Sequence, residues 1–98
     1  NHKPFPDAYN LALQLCKHPD ANCMAIEDSK IGVESAKAAN IHCLLTLPPW
    51  ASSKKNIIKN ANACVTSLGD FHNPSTLIYG KQLPKKYVDF EYLTNIIN

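Results

Sequence analysis

The stretch 23–41 constrains the fold more than any other part of the chain. It reads Cys-Met-Ala-Ile, then Glu27-Asp28-Ser29, then Lys-Ile-Gly-Val-Glu-Ser-Ala-Lys-Ala-Ala, then Asn40-Ile41. A short apolar run without polar alternation suits a parallel strand buried on both faces, which places a strand at 23–26. Ser29 is suited to cap the following helix, because its hydroxyl accepts from an otherwise unpaired backbone N–H. Asn40 stands where that helix should stop, in the left-handed position that Gly fills most often and Asn next. Glu27 and Asp28 therefore lie at the carboxyl end of a strand and at the mouth of a helix. Open α/β sheets bind ligands in that crevice.

Two neighbouring carboxylates in one crevice repel each other, and a bound cation removes that cost. Both are hard oxygen donors with no His or Cys beside them, so magnesium suits them best. The plainer alternative is that one acid complements the helix dipole and the other faces water.

The remaining composition excludes several classes of partner. Ten basic and eight acidic residues leave a formal charge of only +2. That field is too weak to argue for nucleic acid or an anionic membrane. The lysine pairs 54–55 and 85–86 read as solvated faces. No apolar run approaches the ~18 residues of a membrane helix, and no signal-peptide pattern opens the sequence. Cys16, Cys23, Cys43 and Cys64 include no C-x-x-C pair. They read as reduced thiols of an intracellular protein rather than as disulfides or a zinc site. The histidines at 2, 18, 42 and 72 lack metal-ligand spacing.

Lys3-Pro4-x-Pro6-Asp7 opens the sequence. The proline after Lys3 pushes its backbone toward an extended shape, and Pro6 suits the first turn of a helix. An ammonium near a helix start opposes the dipole, which makes Lys3 a poor choice for stability and a better one for gripping an anion. A first helix is expected from about 7 to 15, with Ala8, Leu11, Ala12, Leu15 and Cys16 as its apolar stripe.

Further strands are expected at 42–47 and 63–66, with a short helix from Ser52 or Ser53 to about Asn60 between them. Ile57 and Ile58 should face inward from that helix. Pro48-Pro49 should end the second strand, placing Trp50 near the same crevice. Residues 67–87 have loop character. Asp89 is a good N-cap for a last helix from Phe90 to about Ile97. Its buried stripe would be Phe90, Leu93 and Ile97, with Val88 and Leu93 as a hydrophobic staple. Strand, helix and strand form one βαβ unit with a right-handed crossover. The fold class is thus α/β, with a short parallel sheet and flanking helices. Three such strands bury little, and the outer edge of 23–26 would be bare.

The pairing of Lys3-Pro4-x-Pro6-Asp7 with Glu27-Asp28-Ser29-x-x-Gly32-Val-x-x-Ala36-x-x-Ala39 resembles haloacid dehalogenase superfamily hydrolases. The likeness is to the phosphoglycolate-phosphatase, β-phosphoglucomutase and CbbY-like subfamily, and it covers residues 1 to about 47. It implies a Rossmann-like three-layer core and magnesium-dependent phosphoryl transfer through an aspartyl-phosphate. Carried onto this chain, Lys3 matches the catalytic lysine that neutralises the nucleophile and the transferring phosphoryl group of the substrate. Asp28 matches the metal-binding acid, with Glu27 beside it. Ser29 would lie at the substrate, and Ser29 and Gly32 would hold the loop in shape. The family's Asp-x-Asp nucleophile motif, its Ser/Thr phosphate motif and its cap domain are absent from this sequence.

These absences, an initial Asn and a sole Met at position 24 lead to one expectation. The chain is the carboxyl-terminal part of a longer enzyme acting on small phosphorylated metabolites such as sugar phosphates, inactive by itself. Its missing amino-terminal part would then be its partner. The compartment expected is the cytoplasm, or the plastid stroma in a photosynthetic eukaryote. A non-catalytic half-domain that binds a partner through its open sheet edge is the alternative. A receiver-like regulatory domain fares worse, because its acid pair should precede its lysine.

Overall fold

The computed structural model describes residues 10–12, 23–47 and 55–97, the side chains of 55–57 excepted. Strand β1 (Met24–Glu27) leads through a two-residue bend into helix α1 (Lys30–Ala38). Strand β2 (His42–Thr46), helix α2 (Lys55–Asn60), strands β3 (Ala63–Val65) and β4 (Leu77–Tyr79) and helix α3 (Phe90–Ile97) follow. The strands lie side by side in chain order. β1 runs parallel to β2, with Ala25 opposite Cys43 and Glu27 opposite Leu45. β2 runs parallel to β3, and β4 returns antiparallel to β3.

Alternation along these strands divides the core into two layers of side chains. Ala25, Cys43, Leu45 and Cys64 point to one face, where Val33 and Ala36 of α1, Ala61 and the half-buried Ile58 of α2 cover them. Leu44, Ala63 and Val65 point to the other, where Tyr92, Leu93 and Ile96 of α3 pack with Leu83 and Val88. Helices on both faces of a mainly parallel sheet make the three-layer α/β arrangement expected from the sequence.

Each end of α1 is set by local chemistry. The Ser29 hydroxyl accepts from the Gly32 backbone N–H at 3.1 Å. At the other end Asn40 takes φ 58°. The Asn40 N–H then donates to the Lys37 carbonyl and the Ile41 N–H to the Ala36 carbonyl, both at 2.9 Å. This 5→2 and 6→1 pair is a Schellman motif, and Ile41 and Ala36 add its apolar contact. Asp89 caps α3 as expected, its carboxylate accepting from the Tyr92 N–H at 2.9 Å. Val88 and Leu93 join the same apolar cluster, as a staple requires.

Four expectations need correction. Strand β1 is shifted one residue from 23–26 and includes Glu27. It is also not buried on both faces: Ile26 is 47% exposed, because the α3 layer packs on Met24, Leu44 and Val65 and stops short of it. Phe90 does not belong to the buried stripe of α3. It is 83% exposed, while Tyr92 is 2% exposed and donates its hydroxyl to the Lys81 carbonyl at 2.6 Å. One helical turn past the cap, the rotation of α3 about its axis is set by this polar anchor.

The last correction is β4, which lies inside the segment read as loop. The Asp70 carboxylate accepts from the backbone N–H groups of His72 and Asn73 at 2.8 Å each, closing an Asx turn that reverses the chain. Thr66 N–H donates to the Thr76 carbonyl at 2.9 Å, which brings the returning segment alongside β3. Gly80 ends β4 with φ 103°, where a Cβ would lie 2.9 Å from the Asn62 carbonyl oxygen. The short run Leu77-Ile-Tyr79 between Pro74 and Gly80 was the signal available in the sequence.

Residues 10–12 are helical, within the first helix expected. Leu11 is nevertheless 55% exposed and Ala12 is exposed as well. Periodicity identifies an apolar face without saying what lies beneath it. The rest of that helix, the Ser52–Ser53 cap, Ile57, Cys16 and the Pro48–Trp50 loop lie outside the described residues or side chains.

Candidate active site

The site is built by the β1–α1 connection. Glu27 ends β1 and is half-buried, while Asp28 and Ser29 form the exposed bend before α1. The Thr46 hydroxyl, at the end of the neighbouring strand, donates to the Glu27 carbonyl at 3.4 Å. Thr46 was not singled out from the sequence, although it is the one polar residue in the run from Cys43 to Leu47.

Glu27 shares strand parity with Ala25 and so belongs to the face covered by α1. Its carboxylate lies across the first turn of that helix: a Cβ placed on Gly32 would overlap it. The same carboxylate is close enough to Cys43 to act on it. Burial first, and the Glu27 charge second, push the Cys43 thiol up to about 12. Cys64 is pushed up to about 11 by burial alone. Both are buried, unbridged thiols, inert at neutral pH, in agreement with the sequence reading.

The structure thus brings together Glu27, Asp28, Ser29 and Gly32 within one strand–bend–helix unit. Lys3, expected to approach the same point, lies outside the described residues. Among the described residues no group of three or more His, Cys, Asp or Glu side chains could hold a metal ion. Two adjacent carboxylates remain as the donor set. That set fits magnesium, which commonly takes one or two protein carboxylates and completes its shell with water and phosphate oxygens.

The profile of the haloacid dehalogenase-like hydrolases matches residues 1–46, the segment that ends with β2. Over these residues the chain is similar to that family. The relatives it matches include CbbY and CbbY-like proteins. A CBBY-like protein of Arabidopsis thaliana is 35% identical over 68 residues, covering 69% of this chain and 21% of the relative. Protein CbbY of Rhodobacter capsulatus is 50% identical over 44 residues, 45% of this chain and 19% of the relative. The chloroplastic protein SUPPRESSOR OF QUENCHING 1 of Arabidopsis thaliana is 41% identical over 44 residues, 45% of this chain and 4% of the relative. The chain therefore spans about a fifth of the length of the first two of these relatives. No solved structure matches the chain significantly.

Proposed function

We propose that this chain carries the metal-binding part of a magnesium-dependent phosphatase or phosphomutase for small phosphorylated metabolites, sugar phosphates among them. The observation that supports this reading is the placement of Glu27 and Asp28 at the carboxyl end of β1, against the N-terminus of a capped helix, inside the segment shared with the hydrolase family. Asp28 and Glu27 would hold Mg2+, which when bound neutralises charge on the phosphate. Lys3 would neutralise the attacking group and the transferring phosphoryl group. Ser29 would hold the bend in shape and line the substrate crevice, with Gly32 beneath it.

Catalysis of this kind depends chiefly on positioning and charge stabilisation. The sequence holds no Asp-x-Asp pair, so the nucleophile would come from an amino-terminal part of the same enzyme. That part would pair with the outer edge of β1. The 98 residues alone would bind Mg2+ weakly and turn over no phosphate ester.

The test is a phosphatase assay of the chain joined to an upstream Asp-x-Asp segment, read in the coding DNA before Asn1. Asp28→Asn and Lys3→Ala should each abolish most of the activity, and near-normal turnover in both would remove the assignment. A second reading, a non-catalytic half-domain, is favoured by one observation. Among the described residues β1 is an end strand of the sheet, with Ile26 exposed on it. A stop codon shortly upstream of Asn1 would support it.

A further inference from the structure

We propose that Gly32 is a positioning residue for Glu27, because the space its missing side chain leaves is the space in which the Glu27 carboxylate lies. A Cβ on Gly32 would overlap Glu27 Oε1 and Cδ and stand 3.1 Å from Cγ. The three nearest atoms it would meet all belong to this one side chain.

The usual reason for a glycine does not apply here. The positive-φ glycines described are Gly69 and Gly80, so Gly32 has a backbone that any residue adopts. It is the third residue of α1 and is buried, at a position where alanine would favour the helix more. Its backbone N–H already serves the Ser29 cap, a role that every residue except proline could fill. What only glycine supplies is room. The carboxylate of Glu27 rests on a bare Cα in the first turn of α1. An alanine would push the carboxylate off the first turn, away from its position at the mouth of α1.

That this position matters for a metal ion rests on the function proposed above; the steric relationship itself does not. The two are separable by experiment. Gly32→Ala, Glu27→Ala and the double variant are compared in the chain by thermal unfolding. Gly32→Ala should raise the midpoint in the Glu27→Ala background, where the space is free, and should leave it unchanged or lower it when Glu27 is present. Equal rises in both backgrounds would overturn the proposal.

Backbone amide shifts are then followed during titration with Mg2+ alone. Gly32→Ala should weaken binding about tenfold, as loss of a supporting residue does at other metal sites. Glu27→Asp, with its shorter side chain, should recover part of the loss in that variant. Binding unchanged by Gly32→Ala in a chain that loses it with Asp28→Asn would overturn the positioning role and leave the metal site standing. Binding indifferent to Asp28→Asn would sink the metal site, while the thermal comparison still decides the contact between Gly32 and Glu27.

Discussion

The Ser29 hydroxyl and the Gly32 backbone N–H are joined by a 3.1 Å hydrogen bond. That bond begins α1 immediately after the acid pair ends β1, so the helix cap and the candidate site are one piece of backbone. A helix leaves its first N–H groups without partners. Filling one of them from Ser29 fixes where the helix starts, and so where Asp28 stands relative to its positive end.

Removing that cap should be measurable. Ser29→Ala is expected to lower stability by about 1 kcal/mol, and Ser29→Asp to retain most of it, because aspartate caps equally well. Urea unfolding midpoints of the two variants check this. An alanine variant as stable as the parent would show that the bond contributes nothing.

Asn40 tests the other end of the helix. Its φ of 58° is tolerated by Asn and Gly and disfavoured for β-branched residues. Asn40→Gly should be neutral or slightly stabilising. Asn40→Val should cost about 1–2 kcal/mol, the penalty of a left-handed conformation for a residue with a crowded Cβ. Thermal unfolding of both, with the circular dichroism of the folded states compared, decides between these outcomes.

Acid sensitivity should arise at the α3 cap, as it should at the Asp70 turn, where the Asn73 and then His72 hydrogen bonds also lower the carboxyl. The Tyr92 backbone N–H, and after it the Lys85 ammonium, hold the Asp89 carboxyl below its ordinary 3.8; the Lys85–Asp89 pair is 3.2 Å apart. A depressed pKa in the folded state contributes stability that is present above the unfolded value and lost as pH falls through the folded one. Stability should therefore decline below about pH 4. Asp89→Asn keeps a capping oxygen and should flatten that part of the profile, measured as urea midpoint against pH. An unchanged slope would assign the acid sensitivity to other groups.

The buried thiols give a prediction at the opposite end of the pH scale. Cys43 and Cys64 have folded values of about 12 and about 11 against an ordinary 9.0. Above pH 9 the unfolded chain loses these protons first, so stability should fall as pH rises. At pH 8 both should resist thiol reagents in the native protein and react in urea. Peptide mapping by mass spectrometry reads each position, and rapid native labelling of Cys43 would contradict its place beneath α1.

The unit from β1 to β2 was legible because its signals are short-ranged. The Ser29 cap spans four residues, the Schellman motif at Asn40 spans six, and the small apolar strands on either side match in pattern. The observed order of the three parallel strands fits the tendency of successive βα units to lie side by side. The turn at Asp70 and the strand it returns were not legible. Leu77–Tyr79 is too short to show alternation, and its partner β3 supplies the hydrogen bonds that make it a strand. Phe90 and Tyr92 exchanged places for a similar reason: both are aromatic, and the Lys81 carbonyl, eleven residues before Tyr92, selects between them.

By itself the sequence determined the strand, the acid pair, the cap and the helix stop, because each depends on backbone groups within a few residues of the side chain that satisfies them. Only the tertiary structure decided that β4 closes one side of the sheet, that Ile26 stays uncovered, and that the Glu27 carboxylate lies over Gly32. Those outcomes depend on which surfaces meet and how much room is left between them, and neither is written in the periodicity of one segment.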